Sequence, residues 1–321
     1  MDRREFIGTL AGGLVAAPLA VEAQQAGKVP RIGLLGLAPL PPALYEMFKE
    51  GLGYTKGQQV VFIDQQADSV PSRIPPAAAA LVQARPDVIL ARGPAAVAAV
   101  TRATTTIPIV AVDLESDPIA LGYAKTLAQP GGNVTGVFLD MPDLSAKQLQ
   151  LFREIVPGLS HVALIGDSTD NATQLQATQR AAQGLGVQVQ TFEGRTAPEL
   201  DAALEAAHRN GAGGVIIFSS PAVFYNLARI ATFAREKRLP TVSLFTEFAR
   251  SGGLLTYGPS LGESFRRCGI YVGKVLRGAK PADLPIERPR TFELVINLKT
   301  AKALGISISQ PLLVRADRVI Q

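Results

Sequence analysis

Gly258-Pro259-Ser260-Leu261-Gly262 is the string in this 321-residue sequence that matches a nucleophile elbow, G-x-S-x-G between a strand and a helix. An acyl-transfer serine in that order needs a histidine base later in the chain, and the only histidines, His161 and His208, precede it. Ser260 therefore reads as a helix N-cap, which suits a hydroxyl ahead of Leu261. Metal chemistry lacks ligands, because two isolated histidines and the single Cys268 give no pair at ligand spacing. Nucleotide chemistry lacks its loop. After the first apolar run the chain shows Gly33-Leu34-Leu35-Gly36-Leu37-Ala38-Pro39, not G-x-G-x-x-G. Gly27-Lys28 and Gly273-Lys274 lack the earlier glycine of a phosphate loop, since Glu22 and Cys268 stand there. No catalytic residue, metal or cofactor is expected, and binding without chemistry leads.

The elements that would position a binding site alternate. Short β-branched runs at 31–37, 60–64, 88–91, 109–113, 134–139, 161–166, 187–192, 214–218, 241–244 and 254–257 are separated by Ala-rich helical stretches, the βαβ rhythm of a covered parallel sheet. The series reads as one unit used twice. IGLLG at 32–36 corresponds to VALIG at 162–166, and DVILARGPAAV at 87–97 to GVIIFSSPAVF at 214–224. ATTTIPIVAVDLE at 103–115 corresponds to KRLPTVSLFTE at 237–247, with Pro108 and Pro240 in register. The expected fold class is α/β, with two doubly wound parallel-sheet lobes joined by a hinge. A helix over 261–277, a strand over 292–297 and a helix over 298–304 are surplus to two complete lobes and imply several chain crossings. The expected division is 28–137 plus 256–290 for the first lobe and 138–255 plus 291–321 for the second.

In open α/β sheets ligands bind beyond the carboxyl ends of the strands. The loops there hold Gly93 and Pro94, the run Asp113 to Asp117 with Ser116, the run Asp167 to Asn171, Ser219 and Ser220, and Thr246 with Glu247. Helix N-termini at these loops favour an anionic ligand group, and the acids an ammonium. The same Ser, Thr, Asp and Asn residues are also the usual helix caps. Tyr257 either stacks on a ligand or packs at a strand end.

The chain's start carries an address. Residues 1–23 combine Arg3 and Arg4, an apolar stretch over 6–20, and Val21 and Ala23 at the −3 and −1 positions of a cleavage site, so a cleavable export signal is expected. The stretch is shorter than the roughly 20 residues a membrane helix needs and contains Pro18. Asp2-Arg3-Arg4-Glu5-Phe6-Ile7 resembles the twin-arginine motif. Gln24, not the cysteine of a lipid anchor, follows the cut, so the mature protein is expected free in the periplasm as a monomer. Lone Cys268 excludes an intramolecular disulfide. Net charge is only +5 and the basic residues are scattered, with no cluster beyond Arg235-Glu236-Lys237-Arg238, so no nucleic-acid face is expected.

Longer strings carry a resemblance. IPIVAVDLESDPIALG, LAQPGGNVTGV, SGGLLTYGPSLGESFRRCGIYVGKVLRGAKPADLPIERP and FELVINLKTAKALG make the chain resemble, over 29–320, the periplasmic substrate-binding proteins of ABC transporters, in the subfamily of tryptophan- or tyrosine-type binders. The resemblance implies a type I periplasmic binding fold, a small-molecule ligand between the lobes and delivery to an ABC permease. By position it implies a ligand wall at Gly93, Asp113, Asp117, Asn171, Ser219 and Tyr257. Members often have Gly-Thr or Gly-Ser where this chain has Gly93-Pro94, and an Asp where it has Ser219-Ser220. A ligand-sensing module for a membrane receptor would use the same cleft, and an exported α/β enzyme would need the histidine or metal cluster that the sequence lacks.

If export follows the twin-arginine route, Arg3→Lys with Arg4→Lys will strand a folded precursor in the cytoplasm, measured by fractionation and immunoblotting; undiminished secretion would assign the general route.

Overall fold

The structure is a computed structural model that describes residues 29–53, 59–139 and 143–321. The expected export signal and cleavage site, and Gly27-Lys28, lie outside them. Strands β1 (Arg31–Gly36), β2 (Val61–Gln66), β3 (Val88–Arg92), β4 (Ile109–Asp113) and β5 (Val134–Phe138) form a wholly parallel sheet in the order β2-β1-β3-β4-β5. Strands β6 (His161–Gly166), β7 (Gln188–Glu193), β8 (Gly214–Ile217), β9 (Thr241–Ser243) and β10 (Leu255–Pro259) repeat that order as β7-β6-β8-β9-β10. The expected repeat is thus present in the topology: β1 matches β6, β3 matches β8, and β4 matches β9. Pro108 and Pro240 occupy the same place, each accepting a hydrogen bond at 2.9 Å from the neighbouring strand, Ile89 N–H in one sheet and Val215 N–H in the other.

Helices α1 (Pro42–Leu52), α2 (Ile74–Gln83) and α3 (Pro94–Ala103) cover the first sheet. The second carries α4 (Asp143–Ile155), α5 (Ala172–Leu185), α6 (Ala197–Arg209), α7 (Pro221–Tyr225), α8 (Leu227–Glu236) and α9 (Thr246–Arg250). Every residue of β3 and β4 is buried, as a strand covered on both faces requires. Period-two alternation sends Ile32 and Leu34 to one apolar cluster and Leu35 to another.

The chain then returns. Helix α10 (Leu261–Leu276) packs on α1 and the first sheet, and Ser260 caps it as expected, its hydroxyl accepting from Glu263 N–H at 3.3 Å. The segment after it runs beside β5, with Glu287 N–H bonded to Gly136 O at 2.9 Å and Phe138 N–H to Glu287 O at 3.0 Å, so that the edge strand is paired. Strands β11 (Phe292–Asn297) and β12 (Arg318–Ile320), with helices α11 (Leu298–Leu304) and α12 (Gln310–Arg315), complete the second lobe.

Three details differ from the sequence expectation. Strand β10 pairs with β9 and with β11, so the second crossing falls at Ser260 and residues 256–259 stay with the second sheet. Strand β11 runs antiparallel to β10, which makes that sheet mixed, and the three-residue β12 was not anticipated because it is too short to show a period.

Helices α1 and α10 approach closely because glycines face one another. A Cβ on Gly269 would lie 2.1 Å from Phe48 O, and one on Gly51 would lie 1.8 Å from Arg266 O. Gly269→Ala is expected to cost about 1–3 kcal/mol in urea unfolding by forcing these helices apart. Gly184→Ala, in α5 with open space around it, is expected to stabilise by up to about 1 kcal/mol.

Candidate functional site

Both sheets reverse strand order beside their first strand, between β1 and β3 and between β6 and β8, which are the topological switch points where α/β sheets bind ligands. The two points face each other across a closed seam. Gly93, at the end of β3, has a φ of +84°, and a Cβ there would lie 2.7 Å from Pro221 Cγ of α7, so both its backbone angle and the approach of the other lobe demand glycine. Gln174 Nε2 of α5 donates to Glu115 O at 3.3 Å, and Ser219 of the second lobe lies close enough to the Glu115 carboxyl to favour its ionised form. Tyr225, at the end of α7, points its hydroxyl at Ala38 O and Pro39 O, 3.2 and 3.0 Å away, and accepts from Arg92 Nη1 at 3.3 Å.

Arg92 is the electrostatic centre of the seam. It is 7% exposed, and its Nε and Nη2 have no hydrogen-bond partner among the described residues. Gly36 makes the space for it: a Cβ there would fall 2.6 Å from the guanidinium carbon. Burial lowers its pKa, opposed by Tyr225 and by the attraction of Asp64. Two cavities share Arg92, Gly93, Ser220 and Pro221. One, about 60 Å³, is walled chiefly by Leu44, Phe224, Phe245, Leu261 and Phe265, with Glu115 its only acid. Phe224 meets Phe245 edge to face, ring centroids 5.1 Å apart. The other, about 140 Å³, is lined by Pro94, Asp167, Asp170 and Arg195 beside the shared residues.

Burial raises the pKa of three acids of the seam. Burial first, then the charge of Asp113, pushes the Glu115 carboxyl well above its usual range, with Ser219 opposing. Burial also raises Asp113, against the hydrogen bonds it receives from Ser116 and Glu115. Asp170 is pushed up to about 6 by burial, then by Asp167 and Asp113, while Arg195 opposes.

Of the residues singled out in the sequence, Gly93 and Ser220 line both cavities, and Pro94 and Asp167 line the second. Others shape loops. Asp113 Oδ1 accepts from Glu115 N–H and Ser116 N–H at 3.1 and 2.9 Å, and Asp117 Oδ1 from Ile119 N–H and Ala120 N–H at 2.8 and 3.1 Å. Asn171 Nδ2 donates to Ser219 O at 3.1 Å, and Ser220 Oγ caps α7 through Val223 N–H. Ser116 lines neither cavity. Glu247 bonds Thr246, and Tyr257 packs against Phe292 while its carbonyl accepts from Gln148, so neither reaches the cavities. Arg92, Glu115 and Tyr225 were missed. The signal for Arg92 was available: a permanent charge closes a strand whose every other residue is apolar. Tyr225, in the apolar run PAVFY, gave none.

Paired doubly wound sheets with their switch points facing across a cavity define a two-lobed binding protein of the type I periplasmic fold. The chain belongs to the ABC transporter substrate binding protein family, whose model matches residues 43–320. It is 24% identical over 264 residues to a tyrosine-binding protein of Clostridioides difficile strain R20291, covering 80% of this chain and 74% of the relative. Among solved structures, an ABC domain in complex with L-Trp from Streptococcus pneumoniae superposes with a TM-score of 0.82 at 25% identity, over 91% of this chain and 100% of the other. A conserved domain protein from Vibrio cholerae gives 0.81 at 24% identity, over the same shares. No helix among the described residues is long and apolar enough to cross a membrane.

The raised Asp170 predicts a pH dependence. Native Asp170 holds its proton up to about pH 6, whereas the unfolded chain releases it near pH 4. Its stabilising contribution is therefore complete below about pH 4 and lost as pH rises through about 6. The urea midpoint of the wild type, relative to that of Asp170→Asn, is expected to fall across this window and stay flat above it.

Proposed function

We propose that the mature chain is an exported periplasmic receptor that captures a small organic molecule between its lobes and hands it to an ABC permease. The observation that carries this reading is the closed seam at the two switch points, where a mostly apolar cavity is lined by one buried cation. Apolar walls at Phe224, Phe245 and Phe265 suit a ligand with an aromatic or similarly bulky body. The relatives that bind tyrosine and tryptophan support the same size class and keep an amino acid among the candidates. Gly93, Pro94, Asp167 and Ser220 serve as the wall. Asp113, Ser116, Asp117, Asn171 and Ser219 hold its loops in shape.

Capture and release follow from the hinge. The lobes are joined by chain crossings after β5, at Ser260 and before β11, and the contacts of Tyr225 and Glu115 exist only when the lobes meet. A ligand touching both walls adds to these contacts and favours the closed form, which a permease can distinguish from the open one. The receptor acts as a monomer, performs no chemistry on its ligand, and meets no nucleic acid.

Native mass spectrometry of the mature protein purified from its own host is expected to show one small molecule retained per chain and lost on unfolding. Turnover of a substrate with no retained molecule would sink the reading.

A further inference from the structure

Resting on the cleft just described, the geometry points to Arg92 as the anchor of the ligand's carboxylate, and to a ligand that is a carboxylic acid with an apolar, aryl-sized body. The case begins with the guanidinium's edges. Nη1 is engaged by Tyr225, whereas Nε and Nη2, which project parallel N–H groups from one edge, are buried and unpartnered. A carboxylate matches this edge with two parallel hydrogen bonds and is neutralised by this one cation. Gly36 is the cradle that keeps the edge clear of a side chain, and Asp64 attracts the guanidinium without bonding it.

Other ligand classes fit less well. A phosphate or dicarboxylate would need a second cation, and Arg195, at the second cavity, already has Asp167, Glu193 and Glu199 oxygens within 3.7 to 4.0 Å. A sugar needs several free donors and acceptors around its hydroxyls. In the first cavity the Tyr225 hydroxyl is engaged by Ala38, Pro39 and Arg92, and Ser220 Oγ already accepts from Val223 N–H, which leaves the Ser220 O–H as a single hydroxyl donor where a sugar needs several groups. An amine without an acid group would meet Arg92 as a like charge, while Glu115 accepts from Leu114 N–H, lies by Ser219 and has its charge disfavoured by burial. The carboxylate is the chemistry that an aromatic acid and an aromatic amino acid share.

The test is calorimetric titration of the mature protein with four probes of one body size: 3-phenylpropionate, L-phenylalanine, 3-phenylpropanol and phenethylamine. The two carboxylates are expected to bind at least about tenfold more tightly than the alcohol and the amine. Arg92→Met is expected to weaken the carboxylates by about a hundredfold without lowering the melting temperature of the ligand-free protein, because it removes an incompletely paired buried charge. A structural arginine would instead lower it. Arg92→Lys, which keeps the charge and loses the fork, is expected to fall between. The anchor is overturned if phenethylamine or the alcohol binds as well as the acids, or if both Arg92 variants leave carboxylate affinity within about twofold. A molecule retained from the host that lacks an acid group overturns the anchor alone, whereas turnover with no retained molecule overturns the cleft reading beneath it.

Discussion

Arg92 carries a permanent positive charge into a seam from which water is largely excluded. Leaving such a charge without full compensation costs several kcal/mol, and the surroundings show how the cost is limited. Gly36 gives it room, the Tyr225 hydroxyl takes one of its nitrogens, and Asp64 attracts it from the edge of the sheet. None of these uses the Nε and Nη2 edge. The compensation is also split between lobes: Gly36 and Asp64 belong to the first sheet and Tyr225 to the second lobe. Domain closure therefore changes the environment of the charge, coupling the electrostatics of the seam to the position of the hinge.

The closed form is held by modest forces. Tyr225 reaches the two backbone carbonyls after β1, Glu115 meets Ser219, and Gly93 lies against Pro221. Hydrogen bonds of this kind contribute about 1 kcal/mol each after exchange with water. That scale suits a receptor which must open again. By contrast, the contact of α10 with α1 depends on backbone approach at Gly51 and Gly269, leaving no room for sliding. The second crossing is thus fixed at its far end, and movement between the lobes falls to the connecting segments.

Most of the polar residues at the strand ends organise their own loops. Asp113 and Asp117 each accept two local backbone N–H groups, and Ser220 caps α7. A capped loop presents fixed walls, so these residues serve the site by shaping it. Among the acids near the cavities, burial raises the pKa of Asp170 and lifts Glu115 well above its usual range, so at the apolar cavity Arg92 faces an acid whose charge is disfavoured.

Local pattern in the sequence determined the strands and the twofold repeat. Burial on both faces of a parallel sheet enforces continuous apolar runs, and two prolines in matching places revealed the duplication before any coordinate. Cap chemistry was legible for the same reason: Ser260 and Ser220 act within three residues of their own positions. What only the tertiary structure decided is the strand pairing and the contacts between the lobes. The assignment of β10 to the second sheet depends on its partners β9 and β11, which are distant or antiparallel pairings with no local signature. The meeting of Arg92 with Tyr225 spans 133 residues and arises from lobe closure, so no spacing in the chain could announce it. A charge ending an apolar strand was the signal at Arg92 that the sequence reading passed over, and the fold supplied its partner and its unused edge.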